Sequence, residues 1–230
     1  MKKAWLNWSS GKDSAMALYH VQNGNEYSVE MLFTTLSDAK ERVSMHGLRK
    51  DLLLAQVESI GLSLQITHRS TGTSLNTYNK LMENACMKFK NEGFTHSIFG
   101  DIFLEDLREY REKQLDSIGV KTVFPLWKKD TSQLMQEFIE LGFKAIVVCT
   151  NSKYLENSFC GRVIDDEFLK DLPANVDPCG ENGEFHTFVF DGPIFTNPVN
   201  FKIGEKHIRT YDSEADKWDN RFCYCDLLPE

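Results

Sequence analysis

The sequence predicts an α/β fold, an open parallel sheet with helices on both faces, followed by a smaller α+β domain. Three features carry that prediction. Apolar runs of strand length alternate with longer amphipathic stretches across the first 150 residues. Several of those runs are nearly continuous in apolar residues, as strands buried on both faces must be. Near residue 150 the alternation stops, so residues 1–150 and 151–230 are predicted as two domains.

The expected strands of the first domain are "AWLNW" (4–8), "VEMLFTTL" (29–36), "LSLQITH" (62–68), "HSIFGDIF" (96–103), "KTVFPLW" (121–127) and "KAIVVCT" (144–150). Helices are expected at about 13–22, 47–60, 77–92, 105–118 and 131–141. Gly61, Gly93, Gly119 and Gly142 each follow one of these, where a left-handed residue caps a helix. Asp130 with Thr131 and Ser132 supplies an N-cap for the last. Beyond residue 150 come a short helix, "DDEFLKDL" (165–172), a turn-rich segment and alternating strands such as "EFHTFVF" (184–190).

Composition narrows the function classes. Apolar residues make up 41% of the chain and aromatics 12%, enough for a packed core. A net charge of −8 without a basic stripe argues against bulk nucleic acid or an anionic membrane as partner, yet it leaves room for a nucleotide held by a few local donors. No run has signal-peptide form or the ~20 apolar residues of a membrane span, so a cytoplasmic location is expected. The cysteines, Cys86, Cys149, Cys160, Cys179, Cys223 and Cys225, are then expected to be reduced. Cys223 and Cys225 have one residue between them, which fits neither a redox nor a usual zinc spacing.

The stretch "NWSSGKDSAM" (7–16) joins the first strand to the first helix. It is not the common P-loop: Leu6 stands where the first Gly belongs, and Asp13 stands where Ser or Thr must follow Lys12. It can nonetheless cradle an anion. Ligands of open α/β sheets bind beyond the carboxyl ends of the strands. There Ser9, Ser10 and Ser14 offer hydroxyls, Lys12 a charge, and Gly11 positive φ and close approach, beside the helix N-terminus. The same residues would equally serve as a plain strand–helix turn capped by Ser and Asp.

"SSGKDS" resembles the Ser-Gly-Gly-x-Asp-Ser pyrophosphate loop of the N-type ATP pyrophosphatases, with Ser10 in place of the first Gly. The replacement is mild if residue 10 keeps a negative φ. The resemblance implies a Rossmann-like HUP domain of the PP-loop class, which binds ATP and cleaves it to AMP and pyrophosphate. It also implies that Gly100-Asp101 reaches the same sheet edge, with Asp101 holding Mg2+, and that Arg108 or Arg111 faces the phosphates or an acyl-adenylate. From the residues alone, Asp101 could instead cap a helix, and Arg108 with Glu112 form a solvated i,i+4 pair.

Two further stretches extend the likeness. In "CGENGEFHTFVFDGPIF" (179–195), Glu181 and Glu184 flank the turn pair Asn182-Gly183, ahead of a strand with His186, Phe188 and Phe190 on one face and Phe185, Thr187 and Val189 on the other. "RVSMHGLRKDLLLAQVESIG" (42–61) follows the second strand. Together with "GDIFLEDLREYRE" (100–112) they resemble the diphthine–ammonia ligase family, in order, over nearly the whole chain. The resemblance implies that an N-terminal nucleotide domain joins a smaller C-terminal one. It implies His46 and Arg49 at the nucleotide or substrate, and Glu181, Glu184, His186 and Thr187 at the substrate, Glu181 and Glu184 with catalytic roles beside Asp13 and Asp101. By residue type alone, a His among Phe residues is more often core, and two carboxylates at a turn are usually solvated.

The implied reaction is an AMP-forming ligation: a carboxylate, on a protein side chain or a small molecule, is adenylated and then amidated by ammonia or another amine. Two other classes remain open. A superfamily enzyme that adenylates an RNA base would want a basic surface and paired thiols, which this chain lacks. A non-catalytic ATP-binding module, similar in fold to universal stress proteins, would have no need of Asp13, Asp101 and an elaborate second domain. The acceptor, the nitrogen source and the oligomeric state, a homodimer included, are left open by the sequence.

Overall fold

A computed structural model describes residues 1–37, 41–43, 46–70, 72–210 and 221–230. Ser44 and Met45, part of the stretch singled out after the second strand, lie outside the described residues.

The first sheet is built from β1 (Lys2–Asn7), β2 (Tyr27–Ser37), β4 (Ser63–Arg69), β5 (His96–Ile98) and β6 (Lys121–Val123), with the two-residue β3 (Arg42–Val43). The long strands pair in parallel in the order β4-β2-β1-β5-β6, and β3 pairs antiparallel with the last residues of β2. Helices α1 (Lys12–Asn23), α2 (Lys50–Ile60), α3 (Leu75–Asn91) and α4 (Glu105–Asp116) make the crossovers. Alternation along β1 divides the core. Ala4 and Leu6 join Leu18 of α1 and Leu52 and Val57 of α2, whereas Trp5 joins Met31, Phe33, Phe89 of α3 and Leu115 of α4. The helices therefore cover both faces of the sheet, and each fully buried Leu or Phe contributes roughly 1.5–3 kcal/mol.

A second sheet, order β8-β7-β10-β9, is antiparallel throughout: β7 (Lys144–Asn151), β8 (Phe185–Asp191), β9 (Phe201–Thr210) and β10 (Arg221–Pro229). Helices α5 (Thr131–Glu140) and α6 (Asp166–Asp171) accompany it. Leu134 and Phe138 of α5 share one core with Ile146 and Val148 of β7, Phe188 of β8, and Ala15, Ala17 and Leu18 of α1. Helix α1 is thus buried between the two sheets, and its alanines let them close on it.

Three expectations are corrected. Residues 144–150, read as the last parallel strand, form a central strand of the second sheet, because burial on both faces gives the same unbroken apolar run in either setting. Strand 96–103 ends at Ile98, where Gly100 turns against α1. Strand 121–127 ends at Val123, two residues before Pro125, which has no N–H for a ladder. The four glycine caps adopt positive φ, 75° at Gly61, 90° at Gly93, 70° at Gly119 and 82° at Gly142. Asp130 caps α5 through Gln133 N–H.

Candidate active site

The crossovers leave β1 in opposite senses, β2 to one side and β5 to the other, so a crevice must open at the carboxyl ends of β1 and β5. A cavity of about 440 Å³ lies there. Loops from both sheets line it: Ser9, Lys12, Asp13 and Ser14 after β1, Gly100 and Asp101 after β5, and Glu181, His186 and Thr187 from the segment entering β8. Asn7, the last residue of β1, ties the two parallel strands by donating from Nδ2 to Ser97 Oγ and the Ile98 carbonyl, both at 2.9 Å.

The β1–α1 loop is held from three directions. Ser10 adopts φ +72°, against the expectation of a negative value there, and Gly11 has φ −95°. The left-handed turn thus falls one residue before the glycine. Its cause is the Ser10 carbonyl, which accepts from Val189 N–H at 3.0 Å and from Gln56 Nε2 at 3.1 Å. Gln56, fully buried, also accepts from Trp8 Nε1 at 3.1 Å and donates to the Val189 carbonyl. Gly11 is needed for proximity instead: a Cβ there would stand 2.7 Å from His46 Cε1. Gly100 has the same role across the crevice, where a Cβ would meet the Asp13 backbone at 2.8 Å.

Beyond the turn, Lys12 N–H donates to Thr187 Oγ1 at 3.1 Å, and Ser14 Oγ to the Gly11 carbonyl at 2.9 Å. Lys12 is 3% exposed, its Nζ 2.8 Å from both carboxylate oxygens of Asp13. Burial alone would lower its pKa, but Asp13 and weaker anionic neighbours raise it above the ordinary lysine value, so the ammonium stays charged. Lys12 thereby neutralises the acidic residue that separates this loop from a P-loop.

Three carboxylates, Asp13, Asp101 and Glu181, share the cavity. Burial raises the Asp101 pKa although Arg111 Nη2 donates to Oδ1 at 3.0 Å. Glu181 is pushed up to about 7 by burial and then by Asp13, against the Ile102 N–H that it accepts at 2.8 Å. His46 and His186 face each other with ring centroids 4.9 Å apart. The Thr187 carbonyl, an acceptor only, takes His46 Nδ1–H at 2.9 Å. Burial lowers both imidazoles, His186 to about 3, so at neutral pH neither carries charge.

Not every residue singled out in the sequence reaches this space; Arg49, Arg108 and Glu184 stand outside its lining, as do Ser10 and Gly11, which shape the loop from beneath. Arg49 grips Asp226 of β10, Nη2 to Oδ2 at 2.6 Å and Nε to Oδ1 at 3.1 Å. Arg108 pairs with Glu112 at 2.7 Å and lies over the Trp127 ring at 4.6 Å. Glu184, 1% exposed, accepts from Asp177 N–H and Asn182 Nδ2, fixing the turn that delivers Glu181. Gln56, Asn7 and Asp226 were not singled out. Gln56 does carry a signal: it is the polar member of the apolar stripe Leu52, Leu53, Gln56, Val57.

Among the described residues no group of three or more His, Cys, Asp or Glu side chains is arranged to hold a metal ion, and no helix is long and apolar enough to cross a membrane. All six cysteines are buried and free.

Residues 1–122 match the diphthamide synthase N-terminal domain, and residues 130–227 match the diphthamide synthase C-terminal domain. The chain is similar to the diphthine–ammonia ligase of Schizosaccharomyces pombe, 24% identical over 216 residues, 83% of this chain and 34% of that protein. It is similar to the human enzyme of that name at 25% over 118 residues (49% of this chain, 44% of the other) and to that of Danio rerio at 30% over 98 residues (39% and 37%). The chain therefore matches only about a third to under half of the length of these curated relatives. Among solved structures it resembles a U34-tRNA thiolase of Methanococcus maripaludis, with TM-score 0.38 and 18% identity, covering 61% of this chain and 57% of that one, a likeness too low to bear on function. With both domains matched in order along nearly its whole length, the chain belongs to the diphthamide synthase family.

Proposed function

We propose that the protein is an ATP-dependent ligase that adenylates a carboxylate, releases pyrophosphate, and amidates the acyl group with ammonia or another amine. One observation carries the reading. A loop of the pyrophosphatase pattern, Ser9 to Ser14, opens onto the same cavity as Asp101 and as Glu181 and Thr187 of the C-terminal domain. The names of the curated relatives, diphthine–ammonia ligase, agree with it.

In this reading the β- and γ-phosphates lie against the loop, at the Ser9 and Ser14 hydroxyls, the Lys12 ammonium and the N-terminus of α1. Preorganised donors aimed at the leaving pyrophosphate are the main catalytic resource, since little else needs to move. The carboxylate oxygen attacks the α-phosphorus in line as the bond to the bridging oxygen breaks. Ammonia then adds to the acyl carbon, AMP departs, and one proton is lost from the nitrogen. Glu181, with its pKa near neutrality, is the group suited to receive that proton.

Mg2+ fits the donor set as an ion that arrives with the nucleotide. Asp13, Asp101 and Glu181 line one cavity; burial and then the nearby Asp13 charge make Asp101 and Glu181 harder to ionise, an excess of negative charge that a divalent cation would offset. Mg2+ is usually held by one or two carboxylates and the phosphates, without a full protein cage. Asp101 is the residue assigned to hold it, and when bound it would neutralise charge on the pyrophosphate.

Incubation of the protein with α-labelled ATP and magnesium tests the proposal. AMP release that requires an added carboxylate is the expected result. Release that requires RNA would favour a base-modifying enzyme, and tight binding without AMP would favour an ATP sensor.

A further inference from the structure

A side pocket of about 100 Å³ lies between α3 and α4 and shares Asn7, Tyr78, Met82, Phe99 and Arg111 with the main cavity. Its remaining walls include the apolar side chains of Cys86, Leu115 and Ile118, with Gln114 half-buried on α4. Tyr110 Oη donates to Asn79 Oδ1 at 2.5 Å, joining the two helices beside it. An apolar cavity of about 150 Å³ takes a benzene molecule, so this one suits a smaller group, a chain of roughly three or four carbons.

Arg111 stands where the two spaces meet. Its guanidinium lies 4.3 Å over the Phe99 ring, and Nη2 donates to Asp101. Its Nε is buried with no hydrogen-bond partner among the described residues. A buried donor left unpaired is costly, and a guanidinium edge matches a carboxylate in geometry and charge.

We propose that the acceptor is a small-molecule monocarboxylic acid with a short apolar chain. The chain fills the side pocket, and the carboxylate takes Arg111 and faces the nucleotide in the main cavity. This rests on the adenylation reading above and narrows its substrate class. An acid with a second carboxylate would set that charge among Cys86, Leu115 and Ile118 and against Glu83, so it is disfavoured. In the step, one oxygen of the acid bonds to the α-phosphorus. The bond from that phosphorus to the bridging oxygen breaks, its electron pair leaving with pyrophosphate, and no proton is transferred.

Exchange of labelled pyrophosphate into ATP tests this, run on the full chain with straight-chain acids from acetate to octanoate and with succinate, alongside calorimetric ATP binding. Exchange is expected to peak at butanoate or pentanoate and to fall by roughly tenfold or more per methylene beyond the length of the pocket. Gln114→Trp should move the peak to acetate or propanoate at unchanged ATP affinity, and Arg111→Lys should raise the KM for the acid at least about tenfold. ATP binding with no acid-dependent exchange, exchange indifferent to chain length, or a Gln114→Trp profile like the parent's would overturn the proposal while leaving the nucleotide reading intact. No ATP binding at all would overturn the adenylation reading, and this proposal with it.

Discussion

Thr187 on β8 accepts a hydrogen bond from Lys12 N–H, the first amide of α1, so a side chain of the second sheet caps the helix that follows the β1 loop of the first. No side chain within the loop caps that helix among the described residues. The second sheet thereby fixes the start of the helix against which the proposed phosphate site is built. Thr187→Val, similar in shape and without the hydroxyl, should leave the amide unpaired at about 1–3 kcal/mol. The expected result is ATP affinity weakened roughly tenfold by calorimetry, with Thr187→Ser close to the parent. Equal affinities for parent and Val variant would remove the cap from the binding machinery.

Ser10 pays twice for its position: a non-glycine residue at φ +72°, and a buried hydroxyl with no partner among the described residues. Left-handed strain in such a residue costs about 1–3 kcal/mol. Ser10→Gly should therefore raise the Tm by about 2–4 °C for each 1 kcal/mol recovered in a chain of this size. Ser10→Ala relieves the hydroxyl alone and should gain less. Differential scanning calorimetry of the three proteins decides it, and a Gly variant no more stable than the Ala variant would place the cost in the hydroxyl.

Much of this arrangement is legible in the sequence because local rules decide it. Amphipathic spacing, glycine caps and Asp130 place the helices, and the loop pattern places Ser9 to Ser14 at a sheet edge. What is not legible depends on partners distant in the chain. Residues 144–150 read as a buried strand, but nothing local says which sheet buries it. Ser10 takes the left-handed turn because Val189 and Gln56, far along the sequence, claim its carbonyl. Glu181 and Glu184 look equivalent beside one turn, yet only Glu181 reaches the cavity, since Glu184 is spent on Asp177 and Asn182.

Asp226 joins the two ends of the segment that carries His46. Arg42, before it, donates to Oδ1 at 2.8 Å and to the Gly47 carbonyl at 2.6 Å, while Arg49, after it, binds Asp226 through both carboxylate oxygens. Burial alone would raise the Asp226 pKa, but the hydrogen bonds from Arg49 and Arg42 bring it down to about 2, so the clamp holds across the neutral range. Loss of one partner of a half-buried, bidentate pair costs more than an exposed pair's ~1 kcal/mol. Asp226→Asn should thus weaken ATP binding several-fold and shift the His46 imidazole resonance in NMR spectra, and Asp226→Glu should restore part of both. An unmoved His46 resonance would confine Asp226 to general stability.

Glu181 makes stability depend on pH, and the sign follows from its neighbours. Its folded pKa of about 7 lies above the ordinary carboxylate value, so the folded state holds the proton more tightly than the unfolded chain does. Its stabilising contribution is fully present below about pH 4.5 and is lost as pH rises through about 7. Glu181→Gln keeps an oxygen for Ile102 N–H and cannot ionise beside Asp13. The variant should therefore exceed the parent in Tm only slightly at pH 5 and by a clearly larger margin, about 2–4 °C per 1 kcal/mol, at pH 8. Added Mg2+ and ATP should narrow the gap at pH 8, because a bound cation offsets the carboxylate repulsion only where Glu181 is ionised. A gap that is the same at pH 5 and pH 8 would show that the Glu181 carboxyl does not titrate between them.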